Sequence, residues 1–217
     1  MRDVFHEELD AMRVTTIAMA KRVQEAMEKA TSALLSVNLG LAEEVIQADT
    51  AIDQIQHDLD NRAINLMARQ QPVASDLRGL VTGMRISADL ERMGDLAEHV
   101  AKQARMRYPN CAVPAELTAT IEEMGRVVGR IIDKTTGVIE FRDIVRALEI
   151  EADDDEMDRL HRKIIATLLS EEWSHGVETA IDMTLLARYY ERFSDHAVSI
   201  AKRVYFLVTG EYAPARS

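Results

Sequence analysis

A chain of 217 residues that is 47% apolar, 29% charged and 5% aromatic can bury a core and suits long helices better than a β-sandwich. Its formal net charge of −11 argues against a nucleic-acid binder, which would carry a basic patch. The single cysteine, Cys111, allows no internal disulfide and fits a reducing compartment, while the first residues hold no apolar signal core and no apolar run approaches the ~20 residues of a membrane helix.

The breakers are few. Pro72, Pro109, Pro114 and Pro214 fall where helices should stop, and Asn38-Leu39-Gly40 and Glu172 to Gly176 read as turns. Between them the apolar residues recur with a helical period. Phe5, Leu9, Met12, Thr16, Met19, Val23, Ala26, Ala30, Ala33 and Val37 advance in steps of four and three, and nine of these ten are apolar. This seam predicts a first helix over 3–37. A second over 41–70 and a third over 75–107 flank the turn at Pro72. Tyr108 to Pro114 reads as a linker that divides the chain into near-equal halves. Beyond it, Leu117, Ile121, Met124, Val128, Ile131, Thr135 and Val138 repeat the seam on a fourth helix over 115–140. A fifth helix over 143–171 and a sixth over 177–209 follow. The methionines on these seams read as core packing. The predicted fold class is all-α: two tandem antiparallel three-helix bundles over 1–108 and 115–210, a linker at 109–114 and a tail at 211–217. Helices of this length reach about 50 Å.

The halves are a repeat. Residues 86–106 set against 186–206 give six identities in 21 positions, where composition alone gives about one or two. The register implies a pseudo-two-fold relation. Upstream, Asp49-x-x-Ile52-Asp53 is echoed by Asp154-x-x-Met157-Asp158 at an offset of 105, so the first half holds five additional residues, expected in the turn from Gln70 to Ser75.

The repeat preserves acids. Asp49/Asp53, Glu91/Asp95, Asp154/Asp158 and Glu191/Asp195 each pair two acids four residues apart, on one helix face. One such pair means little, because 37 acids in a chain of this length produce roughly six by chance. Their placement is more specific. Residues level across an antiparallel hairpin are equidistant from its turn. Asp53 with Glu91, and Asp49 with Asp95, are both centred on Pro72; Asp158 with Glu191, and Asp154 with Asp195, are both centred between Ser174 and His175. Four carboxylates brought level in a partly dry setting repel one another and must bind cations, pair with arginine or take up protons. Oxygen-only ligation suits Mg²⁺, Ca²⁺ or Mn²⁺, and iron as well. Arg78, Arg85, Arg92, Arg188 and Arg192 offer the competing account, in which the acids are ion-paired without metal. His57 and His99 extend the acidic faces of the first half but lack counterparts, and read as ordinary surface histidines.

No di-iron Glu-x-x-His pair stands on a helix, no phosphate-binding glycine loop is present, and Ser and Cys lack a base and an orienting partner. Nothing in the sequence supports an enzyme, although a carboxylate-metal store or a metal-dependent hydrolase stays open as the alternative.

Gln71-Pro72-Val73-Ala74-Ser75-Asp76-Leu77-Arg78, Asp89-Leu90-Glu91-Arg92-Met93-Gly94-Asp95, and Ala187 to Ala197 with its Glu191-Arg192-Phe193-Ser194-Asp195 resemble the PhoU family across nearly the whole chain. The resemblance implies two three-helix bundles, metal clusters of iron or zinc on the eight acids named, and negative regulation of the phosphate-starvation response. It implies as partners the ATPase subunit of a phosphate ABC transporter and a membrane sensor histidine kinase, held in a phosphatase-biased state when phosphate is plentiful. The expected location is cytoplasmic, peripheral at the inner face of the membrane and not inserted in it; a homodimer stays open. Phe193-Ser194 departs from the Ile-Gly frequent in the family, so a looser helix approach and unequal metal sites are expected in the second half.

Overall fold

The computed structural model describes residues 2–213; Met1 and residues 214–217, which include Pro214 and most of the expected tail, lie outside the described residues. Six helices follow in order: α1 (Arg2–Ser36), α2 (Leu39–Gln70), α3 (Ser75–Arg107), α4 (Ala115–Phe141), α5 (Ile144–Leu168) and α6 (Gly176–Thr209). No strand occurs among the described residues. None of these helices is long and apolar enough to cross a membrane.

The seams read from the sequence form the core. On α4 all seven seam residues, Leu117 to Val138, are buried. On α1 eight of the ten are buried; Leu9 is partly buried and packs on the core, and Val37 lies past the helix end at φ 55. The polar seam residues cost little. Thr16 and Thr135 donate to the carbonyls of Met12 and Ile131, at 3.0 and 2.7 Å, so each buried hydroxyl has a partner inside its own helix.

Helix ends follow local chemistry. Asn38 caps α2 by accepting the Leu41 N–H at 3.0 Å, which starts that helix two residues before its expected position. Asp143 caps α5 by accepting from the N–H groups of Val145 and Arg146. α5 stops at Leu168, three residues before its expected end, where the Ser170 hydroxyl donates to the Thr167 carbonyl and Trp173 Nε1 to the Gly176 carbonyl. The additional length of the first half is not in the Pro72 turn. α2 continues to Gln70, 17 residues past Asp53, whereas α5 ends ten residues past Asp158; the connection after α2 is the shorter one. Leu59 and Ala63 are buried on that extension, and Leu66 and Met67 pack on the core, so helix is the conformation that covers them.

Within each half the three helices pack on one another, α1 with α2 and α3, and α4 with α5 and α6. The halves join where α1 packs on α4 and α3 on α6, while α2 and α5 touch only helices of their own half. The apolar core is continuous across the join. The linker contributes to it, because Ala112 and Val113 are buried. Polar contacts fix the join. The fully buried Tyr190 hydroxyl meets Thr31 Oγ1 at 2.7 Å, and Arg13 Nη1 donates to the Glu140 carbonyl at 3.0 Å. Asp89 accepts from Arg203 Nε at 2.7 Å and from His196 Nδ1 at 3.1 Å. Burial raises the affinity of Asp89 for a proton, yet these two bonds prevail and hold its carboxyl below the usual range. Arg107 pairs with Asp182 and Glu178, each at 2.5 Å.

The α1–α4 crossing depends on a missing side chain. A Cβ on Gly125 would stand 2.8 Å from Thr31 Cγ2, on a β-branched residue whose hydroxyl is already engaged by Tyr190. A Cβ on Gly129, one turn on, would meet nothing within 4 Å. Gly125→Ala should therefore destabilise the protein by about 1–3 kcal/mol through overpacking. Gly129→Ala should stabilise it by up to about 1 kcal/mol through helix propensity. Urea denaturation of the two variants checks the opposite signs.

Candidate metal centre

α2 and α3 approach closely at one point. A Cβ on Gly94 would lie 3.2 Å from Cδ1 and Cγ2 of Ile52 and 3.4 Å from Asp49 Oδ1, so glycine lets Ile52 seat against α3. Asp49, one turn before Ile52, and Asp53, next to it, are thereby carried toward Asp95. One carboxylate oxygen from each of the three lies within 4.8 Å of the others. Oxygens sharing one ion stand at most two bond lengths apart, about 4.8 Å for a bond of ~2.4 Å, so this proximity is compatible with a common cation.

Their environment fits that role. All three residues are half-buried. Oδ1 of Asp49 and of Asp53 are closed off from solvent and have no hydrogen-bond donor. A buried acceptor without a donor is costly, and a cation relieves the cost. Burial pushes the Asp49 carboxyl up to about 6, with Glu98, Asp53 and Asp95 adding to the effect.

Glu91, expected level with Asp53, is beside the trio and not part of it. Its Oε2 lies 3.4 Å from Arg92 Nε. Burial and then Asp95 raise its proton affinity, against Arg92, so it still senses the cluster. The arginine account holds for the outer oxygens alone: Arg92 Nη1 reaches Asp95 Oδ2 at 2.9 Å from an exposed position. Arg78 and Arg85 do not reach these acids; Arg78 lies over the Phe206 ring. Glu98 is the residue that sequence reasoning missed. It stands one turn past Asp95 and ties back to Lys102 at 2.5 Å, and the spacing Asp95-x-x-Glu98 was the available signal. His57 and His99 are exposed; His99 Nδ1 contacts the Asp95 carbonyl oxygen at 2.6 Å and its ring rests 5.2 Å from that of Tyr189.

The second half assembles the same acids more loosely. Burial, then Asp195, Asp158, Asp155 and Glu191, push the Asp154 carboxyl up to about 7. All four expected acids thus share one electrostatic neighbourhood. Asp154 Oδ1 and Glu191 Oε2 are closed off without donors. Burial and Asp195 raise the Glu191 carboxyl, while Arg188 binds its other oxygen. Yet no three of these acids meet the 4.8 Å spacing, and Asp195 is exposed where Asp95 is half-buried. Ser194 replaces Gly94 here, fully buried, with its hydroxyl unpartnered. His161 lies near Glu191, and His196 is taken by Asp89.

Comparison with known proteins agrees with both the repeat and the helices. The model of the PhoU domain matches twice, over residues 16–104 and 121–204. A Mycobacterium bovis protein described as phosphate-specific transport system accessory protein PhoU homolog 2 is 43% identical over 212 residues, covering 98% of this chain and 100% of that protein. The crystal structure of PhoU from Pseudomonas aeruginosa is similar with a TM-score of 0.84 at 27% identity, covering 95% of this chain and 100% of that one. That of the phosphate transport system regulatory protein PhoU from Streptococcus pneumoniae gives 0.85 at 26%, covering 97% and 100%. With both repeats matched and the full length shared, the chain belongs to the PhoU domain family.

Proposed function

We propose that this protein is an accessory protein of a phosphate transport system and a negative regulator of phosphate uptake and of the phosphate-starvation response. It acts as an adaptor and not as an enzyme, linking the transporter's ATPase subunit to a sensor histidine kinase at the inner face of the membrane. The observation that carries this reading is the end-to-end similarity to a protein described as a phosphate-specific transport system accessory protein. The long two-bundle body, which offers helical faces for docking, agrees with it.

The reading includes metal. Asp49, Asp53 and Asp95 would hold an ion in the first half with Glu91 and Glu98 beside it; Asp154, Asp158, Glu191 and Asp195 would do so in the second. Iron and zinc are the ions the family implies, with Mg²⁺, Mn²⁺ and Ca²⁺ also suited to all-oxygen ligation. The bound ion supplies positive charge that cancels carboxylate repulsion and ties α2 to α3, and α5 to α6. The donorless buried oxygens of Asp49, Asp53, Asp154 and Glu191 support this part.

Deleting the gene should switch on phosphate-scavenging genes in phosphate-replete medium, measured as transcript level; unchanged transcription would end the regulatory reading. Asp49→Asn combined with Asp95→Asn should lower the metal content of gently purified protein while circular dichroism shows unchanged helix. Undiminished metal by elemental analysis would place the ion elsewhere.

Removal of metal should expose a pH dependence of definite sign. The Asp49 and Asp154 carboxyls lie at about 6 and about 7 in the folded chain, above the ordinary ~3.9 of the unfolded one. Between these values the folded chain binds more protons, so stability falls as pH rises. Asp89, held low, loses its contribution only on acidification below the ordinary carboxylate range, outside this window. The chelated protein should melt at a higher temperature at pH 5 than at pH 8, and metal should erase the difference. A metal-free protein that melts higher at pH 8 would contradict the assignment.

A further inference from the structure

The pseudo-two-fold relates two ends of the α3–α6 contact that carry opposite chemistry. At one end, the start of α3 and the end of α6 enclose an open groove of about 500 Å³. Its lining includes Arg78, Arg85, Lys202 and Arg203 and no acidic residue, in a chain with 37 acids and a net charge of −11. Lys202 and Arg203 are tied to Glu151 and Asp89, at 3.2 and 2.7 Å. Arg78 and Arg85 have no carboxylate within 4.0 Å among the described residues. Arg78 lies 5.3 Å over the Phe206 ring and against Gly210 at the C-terminal end of α6, whereas Arg85 is exposed. Between the charges the floor is apolar: Leu77 is 40% exposed, and Val81 and Phe206 also line it. Tyr212, stacked on Phe206 at 5.0 Å, stands at the edge and is 86% exposed.

The equivalent positions in the other half differ in charge, although their apolar residues Val177, Ile181 and Met106 are also exposed. Residues 178, 182 and 185 are Glu, Asp and Leu where the groove has Arg78, Thr82 and Arg85. Arg107, equivalent to Leu207, spans that place and pairs with Glu178 and Asp182. The repeat has therefore diverged in charge: at one end Arg107 is paired with Glu178 and Asp182 of its neighbouring helix, whereas the other keeps Arg78 and Arg85 without carboxylate partners among the described residues, beside an apolar floor. Burying Leu77, Val81 and Phe206 is favourable, and Arg78 and Arg85 select what does so.

We propose that this groove is a docking site for an acidic, amphipathic segment of a partner protein. Arg78 and Arg85 lie two helical turns apart, about 10 Å along α3, too spread to converge on one phosphate and spaced for two acidic side chains of a peptide. The concave shape admits a peptide better than a flat bilayer. The site uses none of the carboxylate ligands and does not depend on the phosphate-transport reading.

The test is a random-peptide display library selected on the full chain, with Arg78→Glu/Arg85→Glu used for counter-selection. Enriched peptides should combine Asp or Glu with Leu or an aromatic residue. They should bind the double variant, and Arg78→Gln/Arg85→Gln, at least about tenfold more weakly. Lys163→Glu, at an exposed site on α5, should leave affinity unchanged. Affinity should fall as salt is raised. Circular dichroism establishes that the variants keep their helices. Enrichment of non-acidic peptides, equal binding by the variants or no enrichment overturns the proposal. Phosphatidylglycerol vesicles bound by the wild type and not by the variants, without peptide selection, would reassign the groove to lipid. Self-association lost in the variants would reassign it to a second copy.

Discussion

The contact of Ile52 with Gly94 sets the chemistry of the first half. Helices that touch through a glycine come nearer than those separated by larger side chains, and the flanking residues come with them. Asp53 and Asp95 are the next residues after Ile52 and Gly94, and Asp49 is one turn before Ile52, so their oxygens are brought together as a consequence of core packing and not of any attraction among themselves. Like charges in a partly dry space are costly, and the apolar core that drives the approach must bear that cost. The acids are therefore a strained element of an otherwise conventionally packed bundle, and the strain is of a kind that a cation relieves.

The second half shows what happens when that contact changes. Ser194 occupies the place of Gly94 and is buried without a hydrogen-bond partner, and Asp195 turns to solvent. The acids still act on Asp154, so the electrostatic cluster persists while its tight spacing does not. The divergence extends to the join between the halves. Asp89, Arg203 and His196 form one cross-link, whereas the equivalents of Asp89 and Arg203 are Tyr189 and Gln103. Gln103 is buried with its amide nitrogen unpartnered. Duplication supplied a symmetric scaffold whose two ends and two sites no longer have equal properties.

Much of this was legible in the residue pattern because helical packing is periodic. The seams of α1 and α4, the six helices, and the level of Asp49 with Asp95 all follow from spacing alone. Three features escaped for physical reasons. Helix length past the last acid depends on which apolar residues find a core, and Leu59, Ala63 and Met67 found one, so α2 absorbed the inserted residues as helix. Glu91 is diverted by its own neighbour Arg92, a rotamer choice that equal height across a hairpin does not determine. The cross-links Asp89–Arg203 and Arg107–Asp182 join residues far apart in sequence, and single-helix periodicity holds no information on how one half docks on the other.

The packing of the helices gives the acid clusters a mechanical meaning. α1, α3, α4 and α6 form a central layer that spans both halves, while α2 and α5 are outer helices held only by their own half. Asp49 and Asp53 belong to outer α2 and Asp95 to central α3; Asp154 and Asp158 belong to outer α5 and Glu191 and Asp195 to central α6. Each cluster therefore bridges the seam where an outer helix meets the centre. Uncompensated, its repulsion works to lift that helix; compensated by a cation, it clamps it. The central join is fixed by Tyr190, Thr31 and the part-buried ion pairs, none of which involves these acids, so such a clamp would act on the outer helices and not on the centre. A cation in these clusters would therefore act on the outer faces and leave the central frame as it is.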